Sequence, residues 1–145
     1  MKILVLNCGS SSIKYQLIDM DNDAKVMAKG LLERVGLEMG EFTHKPAGKD
    51  KYYVKQPIPD HKAGIKMVLE ALVDEKIGVI KSLTEINACG HRVAHGGEIF
   101  KQSVLVDEAV KAEIKKLIAL APLHIPANIQ GIEAMESILP GTPQV

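Results

Sequence analysis

Between Leu6 and Ile13 the sequence reads Asn7-Cys8-Gly9-Ser10-Ser11-Ser12, and Lys14 follows one residue on. Gly9 has no side chain, so the backbone can turn sharply there and come close to a ligand. Consecutive N–H groups in such a turn form a concave anion nest, and the hydroxyls add donors. If the chain is extended from residue 10 onward, alternation puts Ser10, Ser12, Lys14 and Gln16 on one face. Two hydroxyls and an ammonium then line one side of a hairpin, which suits the terminal phosphate of a nucleotide. This is not a Walker A loop, which needs Gly, four residues, Gly-Lys-Ser/Thr and then a helix; here a strand follows, which also rules out a dinucleotide fingerprint. A plain hairpin turn rich in Gly and Ser fits the local sequence as well. Asn7 offers a neutral amide oxygen to hydrated Mg²⁺, or closes the turn by its own hydrogen bond.

A second group is GHRVAHGG, residues 90–97. Arg92 follows an apolar run, and its guanidinium can grip a carboxylate or phosphoryl oxygens with two parallel N–H bonds, as Lys cannot. A structural ion pair is the other use of such an Arg. His91 and His95 can donate to the same oxyanion or sit as satisfied buried rings. On a strand they lie roughly 13 Å apart, and Gly96-Gly97 disfavours the helix that would join them, so zinc is not expected. A third group is APLHIPAN, residues 121–128, where prolines bracket Leu123 and His124 just before a helix. Such a loop can hold one imidazole and one apolar side chain in a cleft wall, or simply let His124 cap the helix.

Two decoys fall away. Asp19, Asp21 and Asp23 begin like a calcium loop, but Ala24 and Gly30 occupy the positions that need Gly and Glu. Cys8 has no nearby sequence cue for a base and reads as a small packing residue.

The elements that position these groups follow from periodicity. ILVL, residues 3–6, is a short buried strand. Ile13, Tyr15 and Leu17 alternate with Lys14 and Gln16 in a second strand, and 25–35 pairs back as a third. Segments 42–45 and 51–56 read as two more strands at an exposed edge, rich in charge and broken by Pro46, Gly48, Pro57 and Pro59. Asp60 caps a helix over 60–74, with Ile65, Val68, Leu69, Leu72 and Val73 on one face. A strand over 86–93 comes next. Asp107 caps a second helix with Val110, Ile114, Leu117 and Ile118 on one face. Pro126 suits the first turn of a third helix carrying Ile129, Ile132, Met135 and Leu139. Strands first, then strand and helix mixed, make an α/β layer fold with an antiparallel start.

Composition narrows the partners. Eighteen basic and eighteen acidic side chains cancel over 145 residues, so bulk charge does not hold a nucleic acid. Aromatics are 3% with no Trp, which argues against base stacking. Two cysteines make neither a disulfide framework nor a zinc pattern. No signal peptide or membrane-length apolar run is seen, so the expectation is a cytoplasmic protein with no membrane partner.

Together, NCGSSSIKYQL, GHRVAHGG and APLHIPAN resemble, in order, the amino-terminal phosphate hairpin, the His-Arg-Val-His-Gly-Gly signature and the Ala-Pro-Leu-His-Asn-Pro-Ala-Asn segment of the acetate kinase family. The resemblance implies the acetate and sugar kinase/Hsp70/actin (ribonuclease H-like) fold, with two similar domains closing over a nucleotide. It implies Mg²⁺-dependent, reversible phosphoryl transfer between ATP and acetate. On it, Asn7 helps hold Mg²⁺, and Ser10, Ser12 and Lys14 face the ATP phosphates. Arg92 binds the carboxylate or the phosphoryl group, Val93 and Leu123 line the methyl pocket, and His124 stands near the phosphoryl group. Ile125 departs from the family's Asn. Family members are more than twice as long, so 1–145 is expected to be an amino-terminal kinase domain ending before the strand that carries the catalytic Asp, inactive alone and homodimeric when whole. Alternatives are a propionate or butyrate kinase, or a non-catalytic nucleotide-binding half domain.

Overall fold

The computed structural model describes residues 1–93, 102–122 and 124–145. The GHRVAHGG motif is therefore described only through Val93, and His95, Gly96, Gly97 and Leu123 lie outside the described residues.

Six strands form one mixed sheet: β1 Lys2–Cys8, β2 Ser12–Asp19, β3 Lys25–Glu33, β4 Gly40–Pro46, β5 Tyr52–Gln56 and β6 Ile86–His91. Their spatial order is β5-β4-β3-β2-β1-β6. The first five meander antiparallel because short turns join them, whereas β6 lies parallel to β1 after a helical crossover. The expected α/β layer fold with an antiparallel start is thus the observed one. Residues 143–145 begin a further parallel pairing on β6, with Cys89 N–H on Pro143 O at 2.9 Å and Val145 N–H on Cys89 O at 2.9 Å.

Among the described residues three α-helices accompany the sheet: α1 His61–Val73, α2 Glu108–Lys115 and α3 Ile125–Ile138. Asp60 caps α1 by accepting from Ala63 N–H, and Asp107 caps α2 by accepting from Val110 N–H. Helices α1 and α3 bury the sheet face made by Leu4, Leu6, Cys8, Ile13 and Leu17. The alternate residues of β1 and β2 (Val5, Asn7, Lys14, Gln16) fall on the uncovered face, as a period of two requires. A smaller core joins α2 to α3 through Ile114, Ile125, Ile129 and Ile132, with Val93 packed against it. No helix among the described residues is long and apolar enough to cross a membrane.

Three readings need correction. Strand β4 is not at an edge: it sits between β3 and β5, with Phe42 and His44 buried, and only β5 is exposed. Charge and proline misled there because Pro46 is the last residue of the strand. The second helix stops at Lys115, and residues 118–120 tighten into a 3-10 turn, leaving Ile118 exposed. The strand over 86–93 ends at His91, so Arg92 and Val93 stand beyond it.

A buried polar chain spans the covered face. Tyr15 passes over Gly30, where any Cβ would collide with its hydroxyl, and its O–H bonds His44 Nδ1 at 2.5 Å. His44 Nε2 bonds the Ile77 carbonyl at 3.0 Å. A carbonyl only accepts, so Nε2 carries the proton and Nδ1 accepts from Tyr15. Burial pushes the His44 pKa down and the Tyr15 pKa up.

Candidate functional site

The β1–β2 hairpin is drawn closed at its tip. Gly9 N–H donates to Ser12 C=O at 2.9 Å, leaving Ser10 and Ser11 at the exposed apex. A Cβ at position 9 would lie 2.7 Å from Ser12 Oγ, so only glycine lets this hydroxyl fold back over the turn.

The hairpin register puts Asn7 directly opposite Lys14, both on the uncovered face. Ser12 shares that face. Ser10 does not: the extended segment begins at Ser12, so alternation never reaches residue 10. Sequence reasoning extended the strand two residues too far because nothing in a run of three serines marks where the turn ends.

A cleft of about 600 Å³ opens beside the hairpin. Asn7, Gly9, Ser12 and Lys14 of the hairpin line it together with Arg92, His124 and Asn128. Parallel pairing of β1 with β6 brings Arg92 there: its N–H bonds Leu6 O at 3.1 Å just past the end of β6, beside the hairpin turn. His124 occupies the N-cap position of α3 but makes no capping side-chain hydrogen bond. It is exposed and lines the cleft instead. Two cations, a hydroxyl, two side-chain amides and the positive end of α3 therefore share one concave surface, with no Asp or Glu among its described lining. Such a surface attracts a polyanion.

Arg92 and Val93 also border a second cavity of about 440 Å³, walled by Val5, Val104, Val106 and Ile132. Arg92 thus stands between a polar cleft and an apolar pocket, where it can bind a charged head while a short carbon chain enters the pocket. Val93 is placed to line that pocket.

Sequence reasoning missed two side chains, His61 and Asn128, and left a third, His91, open between an oxyanion donor and a satisfied buried ring. His61, the first residue of α1, bonds Gly9 O through Nε2 at 2.6 Å. Asn128 Nδ2, on α3, donates to Cys8 O at 2.8 Å. His91 bonds Gln144 Oε1 at 2.6 Å, and burial pushes its pKa down. Partners 52, 120 and 53 residues away leave no local signal. Cys8 faces the helix layer, and burial pushes its thiol up to about 12, which disqualifies it as a nucleophile.

The chain resembles known proteins throughout. The profile of the Acetokinase family matches residues 2–145. An acetate kinase of Moorella thermoacetica is 59% identical over 145 residues, and one of Thermoanaerobacter pseudethanolicus 57%; each alignment covers all of this chain and 36% of the relative. Crystal structures of Porphyromonas gingivalis acetate kinase (43% identity, TM-score 0.95, 99% of this chain and 36% of that one) and of a Francisella tularensis propionate kinase (38%, TM-score 0.88, 99% and 35%) superpose on it. The chain thus spans about a third of the length of these relatives, and over that third it has their fold. On this agreement of sequence and architecture, the chain belongs to the acetokinase family.

Proposed function

We propose that the whole protein transfers the γ-phosphoryl group of ATP to acetate, giving acetyl phosphate and ADP, reversibly. The observation that supports this most is that Lys14 and Arg92 line one cleft whose described lining carries no carboxylate. In the reading, Ser12 and Lys14 hold the nucleotide phosphates, with Ser10 at the apex of the same turn. Arg92 grips the acetate carboxylate with two parallel N–H groups, and the methyl group lies toward Val93 and Leu123. A carboxylate oxygen attacks the γ-phosphorus, the bond to the β–γ bridging oxygen breaks, and ADP leaves with that electron pair. Charge spreads over the equatorial oxygens in the transition state. Lys14, Arg92, the His124 ring N–H and the positive end of α3 meet that charge in fixed positions.

The donor set bears on Mg²⁺. No group of three His, Cys, Asp or Glu suited to a metal occurs among the described residues. Asn7 supplies one neutral oxygen beside Lys14. That fits an ion arriving hydrated with the nucleotide, touched by Asn7, better than a resident ion. When bound, Mg²⁺ would neutralise phosphate charge.

On the same reading the whole protein is cytoplasmic and pairs as a homodimer. The kinase reading is tested by trapping acyl phosphate with hydroxylamine, using the whole protein, ATP and Mg²⁺ with acetate, propionate or butyrate. Hydroxamate from acetate at the highest kcat/KM is expected. Preference for propionate would move the substrate one methylene along, a step of about 1–3 kcal/mol in such a pocket. Hydroxamate from none of the three overturns the reading.

A further inference from the structure

Four carbonyls around the hairpin apex are engaged by protein donors. Cys8 O accepts from Asn128 Nδ2 (2.8 Å) and Gly9 O from His61 Nε2 (2.6 Å). Ser11 O accepts from Val35 N–H (2.9 Å) and Ser12 O from Gly9 N–H (2.9 Å). The two side-chain donors come from different helices, and each is almost fully buried, His61 at 6% and Asn128 at 5% exposure. Oxygens are the groups a phosphate cradle must turn away, since a carbonyl lone pair facing an anion repels it.

The Gly9–Ser10 peptide is the decisive one. The described chain has no cis peptide bond. In a trans peptide C=O and N–H point in opposite directions. By drawing Gly9 O toward α1, His61 therefore swings the Ser10 N–H away from the helix layer, to the exposed side of the turn. The carbonyl cannot donate, so Nε2 must carry the hydrogen, and the ring acts as a fixed donor. Without it, a peptide next to glycine is free to rotate and present its oxygen to the ligand.

We propose that His61 is a positioning residue: it locks the Gly9–Ser10 peptide so that the Ser10 N–H, rather than a carbonyl oxygen, meets a terminal phosphate oxygen of the nucleotide. Asn128 fixes the preceding peptide through Cys8 O, and the Gly9 N–H of that peptide closes the turn on Ser12 O, leaving the Ser10 N–H as the one directed outward by His61. This rests on the turn being the phosphate cradle of the kinase reading. It also gives Ser10 a backbone role that its missing place in the strand does not remove.

Two measurements on the whole protein decide it. In the first, ¹⁵N-serine-labelled wild-type protein is titrated with inorganic tripolyphosphate. The Ser10 amide proton is expected to move downfield and saturate; an unmoved Ser10 resonance overturns the proposal. In the second, His61→Leu is expected to raise KM for ATP on the order of 10- to 100-fold while KM for acetate stays put, the loss of one fixed donor to an anion. His61→Gln, which keeps an N–H at similar reach, is expected to return KM for ATP to within about 3-fold of wild type. An ATP KM unchanged in His61→Leu, or equal damage from Gln and Leu, overturns it. Failure of the kinase reading looks different: no hydroxamate forms, yet Ser10 still answers tripolyphosphate in the wild type. Hydroxamate formation with a silent Ser10 sinks this inference alone.

Discussion

Gly131 of α3 rests on Cys8 of β1 so closely that a Cβ at position 131 would lie 2.6 Å from Cys8 Sγ. This contact sets the distance between helix and sheet, and with it the reach of Asn128, one turn earlier, to the Cys8 carbonyl. Gly131→Val is therefore expected to push α3 outward. Overpacking of this kind costs about 1–3 kcal/mol, read as a lower urea midpoint. KM for ATP should rise alongside, because the cleft wall moves. A midpoint equal to wild type contradicts the packing argument.

Arg92 separates charge from shape. The side chain is exposed and lies past the end of β6, so its removal should leave the melting temperature nearly unchanged. Arg92→Ala is expected to lower turnover on the order of 10²–10³-fold, as loss of a preorganised transition-state donor does. Arg92→Lys should recover little of it, since an ammonium keeps the charge but not the two-pronged grip. Steady-state kinetics with acetate as the varied substrate provide the check, and full activity in the Lys variant removes the bidentate role.

Acid should weaken the fold in a defined window. Burial holds the pKa of both His44 and His91 below the ordinary 6.5. The unfolded chain takes up these protons near 6.5, whereas the folded chain resists until lower pH. Their contribution is thus fully present above 6.5 and is lost as pH falls from there through the folded values. The slope is about 1.4 kcal/mol per pH unit for each group within that window. Urea unfolding from about pH 8 down to about pH 5 should show a steepening loss that His44→Gln reduces. A stability curve flat through this range contradicts the assignment of neutral buried rings.

Both thiols should be silent. Burial pushes Cys8 and Cys89 up to about 12, and each is nearly inaccessible. Near pH 8 a disulfide reagent is expected to react with them at the rate of global or local opening in the native protein and rapidly after denaturation. Fast native labelling at Cys8 would mean that α3 does not cover the hairpin as described.

What the sequence discloses and what it hides divide along physical lines. The β1–β2 hairpin was legible because Ile13, Tyr15 and Leu17 alternate with polar residues, and alternation alone places Lys14 on the face of Ser12 and Gln16; setting it opposite Asn7 takes the hairpin register. Helix α1 was legible because Asp60 carries a capping side chain ahead of a helical apolar stripe. Arg92 stood out by residue type beside an apolar run, but only parallel pairing of β6 with β1 brings it to the cleft. The end of α2 was misjudged because Leu117 and Ile118 continue the apolar period after the helix has tightened into a 3-10 turn. His61 and Asn128 were invisible as site residues. Each acts on a backbone carbonyl far away in sequence, and a carbonyl has no residue type to read.

On the proposed mechanism the glycine-serine hairpin binds the nucleotide phosphates and the Arg92 guanidinium binds the acceptor carboxylate, with the transferring phosphoryl group held between them. A crystal structure of the whole protein with ADP, Mg²⁺, acetate and an aluminium-fluoride mimic of that group tests it most directly. The expected result has the mimic between the Lys14 ammonium and Arg92, with the acetate carboxylate on Arg92 and its methyl group toward Val93. A mimic bound elsewhere, for instance in the open groove of about 670 Å³ beside Lys25, Lys49 and Lys81 at the far end of the molecule, contradicts the account.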